Sequence, residues 1–103
     1  MKRILLLIIL CTVTAYTASI EECGKTDGIT ASGTRATEGR TVACDFLKFG
    51  TQIMILGKTY VVEDRIGSDH PSKIDIFMID RKRAIEFGHK KIEVEIQESD
   101  GNG

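Results

Sequence analysis

Three aspartates carry the chemistry this sequence could do. Asp45, Asp64 and Asp75 each end, or sit within, a short run rich in β-branched and apolar residues. A carboxylate inside such a run needs a reason. Asp75 stands between Ile74 and Ile76, so in a strand it faces the side opposite both. If the isoleucines fill a core, Asp75 faces a groove or solvent; if they lie outside, Asp75 is buried. A carboxyl group in a partly apolar setting can give a proton to a substrate and later take one back. The plainer alternative is a structural aspartate satisfied by a neighbouring backbone N–H, which is the commoner fate of an isolated one. Other chemistries lack their residues. There is no Gly-x-Ser-x-Gly, no phosphate-cradling loop and no zinc spacing. His70 and His89 read as solvated loop residues.

The elements that must position these carboxylates are short strands. Of the 103 residues 42% are hydrophobic and 28% charged, the profile of one globular domain. Period-2 alternation predicts strands over 12–17, 41–45, 52–56, 59–63, 74–78 and 91–96. Gly57 with Lys58 predicts a hairpin turn between the third and fourth. Asp80 as N-cap and Gly88 just past the end bracket one short helix over 81–87. Residues 24–40, rich in glycine, threonine and serine, read as a long irregular segment of the kind that carries function. The polar tail 98–103 reads as frayed. The sum is an all-β domain with one helix, most economically a small barrel.

Charge and composition narrow the partners. A net charge of -1, with no basic stretch interleaved with aromatics, gives no case for nucleic acid. With no tryptophan and two tyrosines, a sugar platform must be built mainly from polar groups. Arg81-Lys82-Arg83 and Lys90-Lys91 read as solvated faces. Lys2 and Arg3 precede an apolar run, 4–10, the pattern of an export leader, with Val13 and Ala15 placed for cleavage after Ala15. The same residues alternate as a first strand would, so a leader over 1–11 and the strand compete for one segment. The run is short for a membrane span, which takes about 20 residues. It also gives the chain a means of associating with a membrane. In an exported chain Cys23 and Cys44 could pair, closing a loop worth roughly 3 kcal/mol. The alternative is two unpaired thiols, one packed as a small hydrophobe.

Several separated motifs follow one another in a recognisable order. They are Val13-Thr14-Ala15-Tyr16-Thr17, Thr30-Ala31-Ser32-Gly33-Thr34, Glu38-Gly39-Arg40-Thr41-Val42-Ala43-Cys44-Asp45, Phe49-Gly50-Thr51, Val62-Glu63-Asp64-Arg65, Lys73-Ile74-Asp75-Ile76-Phe77, Phe87-Gly88 and Val94. Together they resemble the three-aspartate (3D) domain, over about residues 12–96. That family is similar to the catalytic barrel of membrane-bound lytic transglycosylase A and to stationary-phase muralytic proteins.

The resemblance implies a six-stranded double-psi β-barrel at 12–97. It implies Asp75 as the catalytic group, with Asp64 as its near neighbour. Thr30, Ser32, Gly33, Asp45 and Lys73 become candidate substrate-binding residues, Asp45 the most structural of them. The implied reaction is non-hydrolytic cleavage of peptidoglycan glycan strands between muramic acid and glucosamine, leaving 1,6-anhydro ends. One carboxyl group can serve as acid and then base, unlike the two-carboxylate hydrolases. Such an acid must be protonated near neutral pH, which a nearby carboxylate and partial burial favour. No metal or cofactor is required. The implied location is the cell wall, outside a bacterium, for a bacterial or phage-encoded protein. The second function class is a wall-glycan-binding barrel without turnover. Exchange of the first strand between two copies, giving a homodimer, stays open. The segment 65–73 departs from the family pattern, with one glycine where the family often has several.

Overall fold

The computed structural model describes residues 4–18 and 28–99. Among the described residues, six strands, β1 (Ile4–Tyr16), β2 (Thr41–Cys44), β3 (Gln52–Ile55), β4 (Lys58–Asp64), β5 (Lys73–Phe77) and β6 (Lys90–Ser99), and one helix, α1 (Arg81–Phe87), make up the regular structure. The strands close into a barrel in the order β1-β5-β2-β4-β3-β6. The fold is therefore the expected small all-β barrel with one helix.

Pairing gives the barrel an approximate twofold. β2 runs parallel to β4, and β3 runs antiparallel to β4. In the same way β5 runs parallel to β1, and β6 antiparallel to β1. The two trios join through the antiparallel pairs β2–β5 and β3–β6. Two parallel pairs, β1–β5 and β2–β4, make the closed six-stranded sheet a mixed one.

Period-2 alternation fills the core. Val13, Val42, Cys44, Ile53, Val62, Ile74, Val94 and Ile96 are all buried and pack into one cluster. Their β-branched side chains suit the pleated inner wall of a narrow barrel. Closure removes the sheet edges, so most backbone N–H and C=O groups find partners on both sides.

Three local features set what the barrel presents. The first is a β-bulge. Val42 pairs with Val62, but Ala43 pairs with Asp64, so Glu63 is the extra residue. Tyr60 and Val62 point inward. Strict alternation would send Asp64 inward after them; the bulge turns it out. The second is the β3–β4 turn. Its two residues are Leu56 and Gly57, both at positive φ (51° and 81°). Lys58 already pairs with Ile55, so the turn lies one residue earlier than the sequence suggests. Two positive φ values are what a type I′ hairpin needs. The third is α1, where the Asp80 carboxylate accepts from Lys82 N–H at 2.9 Å. Glu38 accepts from Ile79 N–H (2.7 Å) and from the Arg83 guanidinium (2.8 Å), tying the helix entry to the turn before β2.

The first strand is longer than its alternation suggests. The apolar run 4–10, which the sequence marks as an export segment, is the first half of β1. It pairs with β6 from Ile4↔Ser99 to Leu10↔Glu93. Leu7, Ile8 and Leu10 are exposed there, beyond the reach of β5. Among the described residues no helix is long and apolar enough to cross a membrane.

Candidate functional site

Neighbouring strands bring three of the candidate residues, Asp64, Asp75 and Lys73, to one outer face. Ile74 and Ile76 fill the core, so Asp75 faces outward. Cross-strand register then sets up a row. Asp64 on β4 pairs with Ala43 on β2, Ala43 with Asp75 on β5, and Asp75 with Thr14 on β1. Cross-strand partners share a face. Two residues along the β1–β5 pair, Tyr16 and Phe77 share that face; two residues back, Thr12 and Lys73 do. Lys73 thus lies two residues before Asp75 on that face.

Each carboxylate in the row meets a hydroxyl from β1. Thr14 Oγ1 donates to Asp75 Oδ1 at 2.8 Å. The Tyr16 phenol donates to Asp64 Oδ2 at 2.9 Å. Tyr16 also meets Phe77 edge-on, with ring centroids 5.6 Å apart. Neither Thr14 nor Tyr16 stands out in the sequence as a site residue. Their signal was the alternation of 13–17, which puts Thr14 and Tyr16 on one face.

Asp64 and Asp75 are not immediate neighbours. The strand β2 lies between them, so their backbones are two interstrand spacings apart, about 9–10 Å. Asp64 is instead an anchor. Its Oδ1 accepts from Ala31 N–H (2.8 Å) and from Arg65 N–H (3.0 Å). This pins the segment 28–36 against the end of β4.

That segment is a small ribbon rather than an irregular loop. Ile29 bridges Arg35, Ala36 N–H donates to Gly28 C=O, and Thr30 N–H donates to Thr34 C=O. Gly33 holds a φ of 92° at the tip, the left-handed region that glycine enters without strain. The hydroxyls of Thr30, Ser32 and Thr34 bond to one another at 2.8–3.2 Å. Thr30 is buried, and its hydroxyl also takes the Thr34 N–H. Thr30 therefore shapes the ribbon, while the half-buried Ser32 and the exposed Gly33 stand at its surface.

Asp45 serves a different loop. Its carboxylate accepts from the backbone N–H groups of Ile66, Gly67, Ser68 and His70, at 2.8–3.2 Å. Burial pushes its pKa up, but the N–H groups of Gly67, His70, Ser68 and Ile66 together outweigh it and hold the carboxyl below its usual range. Arg65 completes the clamp. Its guanidinium donates to Cys44 C=O (2.6 Å) and Leu47 C=O (2.7 Å), and lies 3.9 Å over the Phe49 ring. Glu63, the bulge residue, is buried and accepts from Thr41 Oγ1 (2.7 Å) and Arg40 Nε (3.2 Å). This second structural carboxylate has no signal in the sequence beyond its place before Asp64.

Two depressions flank the row. A crevice of about 20 Å³ opens between Tyr16, Phe77, Ile29 and Ala36, with Asp64 and Thr30 at its edge. A shallow groove of about 320 Å³ runs past Thr17, Phe77, Ile79 and Arg81. Among the described residues no three His, Cys, Asp or Glu side chains converge as metal ligands would. Cys44 and Cys11 are buried thiols. Burial, with Cys44 nearby, pushes the Cys11 thiol up to about 11. Cys23, the other half of the suggested pair, lies outside the described residues.

Compared with known proteins, the chain matches no family model, no curated sequence and no solved structure.

Proposed function

We infer that the outer face of β1, β5, β2 and β4 is a glycan site, and that this barrel is a peptidoglycan lytic transglycosylase. Asp75 is its acid and base. The observation that carries the reading is the Thr14–Asp75 contact at 2.8 Å on an outward-facing strand. A hydroxyl is both donor and acceptor. It can donate to the carboxylate and, turned about its C–O bond, accept from the protonated acid. A group that gives a proton and then takes one back needs such a partner in both states.

In the reaction, Asp75 gives its proton to the glycosidic oxygen as the C1–O bond breaks, and the glucosamine leaves with a free 4-hydroxyl. The Asp75 carboxylate then takes the proton of the muramic 6-hydroxyl as O6 bonds to C1. No water is consumed, and Asp75 ends protonated as it began. Asp64 acts one step removed, holding Tyr16 and the 28–36 ribbon in place. The reading assigns contacts with sugar hydroxyls to Lys73, two residues before Asp75, and to Ser32 of the ribbon.

The test is digestion of purified peptidoglycan by the full chain and by Asp75→Asn, with the muropeptides identified by mass. The expected result is 1,6-anhydromuramic ends that fall by roughly 10²–10⁴-fold in the variant, the usual worth of a general acid–base group. Equal activity in the variant removes Asp75 from the mechanism. Glycan that is retained but uncut makes the protein a binding module, and new reducing ends make it a hydrolase.

A further inference from the structure

We propose that the free edge of β1 pairs antiparallel with the same edge of a second copy of this chain, joining two barrels about a twofold axis at Ile8. β1 outruns the barrel on one side. It pairs with β6 from Ile4 to Val13, but with β5 only from Thr12 to Tyr16. Among the described residues, no strand pairs with the β5 side of residues 4–11.

The hydrogen-bond pattern says which backbone groups the edge offers. Thr12 N–H donates to Ser72 C=O, on the β5 side, at 2.9 Å. The N–H and C=O of one strand residue point the same way, and alternate residues point opposite ways. Odd-numbered residues of β1 therefore bond to β6, and Ile8 and Leu10 aim their N–H and C=O at the free edge. The side chains along it are apolar. Leu7, Ile8 and Leu10 are 55%, 57% and 59% exposed. Leu7 and Ile9 share the face of the buried Ile96 and Val94; Ile8 and Leu10 share that of Glu95 and Glu93. No charged residue lies between Ile4 and Tyr16, so the lysines that commonly guard an edge strand are missing.

Charge and closure decide the occupant. A lipid surface takes apolar side chains but leaves the N–H and C=O groups of Ile8 and Leu10 unsatisfied. Glu93 and Glu95, paired with Leu10 and Ile8, also oppose an anionic headgroup. A neutral apolar strand meets both demands, and β1 is itself such a strand. An antiparallel pair of identical strands closes on a twofold axis, so the assembly stops at two. Facing fixes the register. With Ile8 opposite the same residue of the second copy, the two exchange N–H···O=C bonds, and Leu7 of each copy meets Ile9 of the other on the core-side face. The Glu95 carboxylates of the two copies then stand three interstrand spacings apart, about 14 Å. That exceeds the screening length of about 8 Å at physiological salt, so they do not oppose the pairing.

The experiment is sedimentation velocity of the full chain over a concentration series, with amide hydrogen exchange on the same samples. The expected result is a monomer–dimer equilibrium that reverses on dilution. Exchange at Ile8 and Leu10 should slow as the dimer fills, while Leu7 and Ile9, already bonded to β6, change little. Ile8→Lys sets like charges opposite each other at the axis and should raise the dissociation constant about ten-fold or more. Ile8→Pro removes an N–H from the free edge alone, where strands accept proline. It should weaken the dimer as much and leave the thermal midpoint of the monomer in place. A monomer at every concentration overturns the proposal. So does a dimer that both variants leave intact, or one without protection at Ile8 and Leu10. A dimer that persists on dilution would mean exchange of β1 between copies and overturns it too. Loss of the dimer to phosphatidylcholine vesicles that carry the chain down would put lipid on the edge instead.

Discussion

Replacing Asp45 by asparagine separates a structural aspartate from a substrate-binding one. The carboxylate receives four backbone N–H groups of the 66–70 loop, one of them shared between both oxygens. A net intramolecular hydrogen bond contributes about 1 kcal/mol, and one to a charged group about 1.5–3 kcal/mol. Gly67 and Ser68 are exposed, so water replaces part of what is lost there. Asparagine keeps one acceptor oxygen and turns an NH₂ group toward the remaining donors. The expected cost is about 1–3 kcal/mol. With a urea slope of about 1–1.5 kcal/mol/M for a domain of this size, the midpoint should fall by roughly 0.7–3 M.

The pH dependence gives an independent check. The folded-state pKa of Asp45 lies below its ordinary value. As pH falls below about 4, the unfolded chain takes up a proton that the folded chain still refuses. The stabilisation is full above that range and is lost as pH falls through the folded-state pKa. The unmodified protein and Asp45→Asn should therefore differ most at pH 6–7 and converge in acid. Urea melts at pH 7, 5 and 3 measure this directly. A variant with an unchanged midpoint at pH 7, or a gap that widens in acid, refutes the assignment.

Two further outcomes follow from single contacts. Thr14→Val should lower glycan cleavage roughly ten- to hundred-fold, the worth of a charge-assisted hydrogen bond, and shift the pH–rate profile. Thr14→Ser should restore both, and an unaltered profile in the valine variant would exclude a role for the hydroxyl. Among the described residues the buried Thr51 Oγ1 has no hydrogen-bond partner, so Thr51→Val should stabilise the fold by about 1 kcal/mol, a gain of roughly 4–8 °C in the thermal midpoint; a loss of stability would mean the hydroxyl is satisfied.

Much of the barrel was legible because its signals are local. Alternation located β2 to β6 to within a residue or two at most ends, since each inward residue there is a Val, Ile, Cys or Tyr that the core requires. Asp80 and Gly88 bracket α1 because both are cap residues by chemistry. What the sequence hid is relational. The bulge at Glu63 depends on how β4 meets β2, and it alone decides that Asp64 faces outward. The separation of Asp64 from Asp75 depends on strand order, which alternation does not encode. The 28–36 ribbon is held by Asp64 and by Glu63 C=O, both distant in sequence. The length of β1 was obscured because its first half is apolar on both faces and so carries no period.

The pairing of β1 with β6 also sets the order of events in synthesis. Within the barrel, β1 is synthesised before the other strands and its antiparallel partner β6 after them. Roughly eighty residues separate the two, which at 5–20 residues per second is about 4–16 s of elongation. Until then Leu7, Ile8 and Leu10 have no strand to pair with. Contacts this distant in sequence also slow folding once the chain is complete.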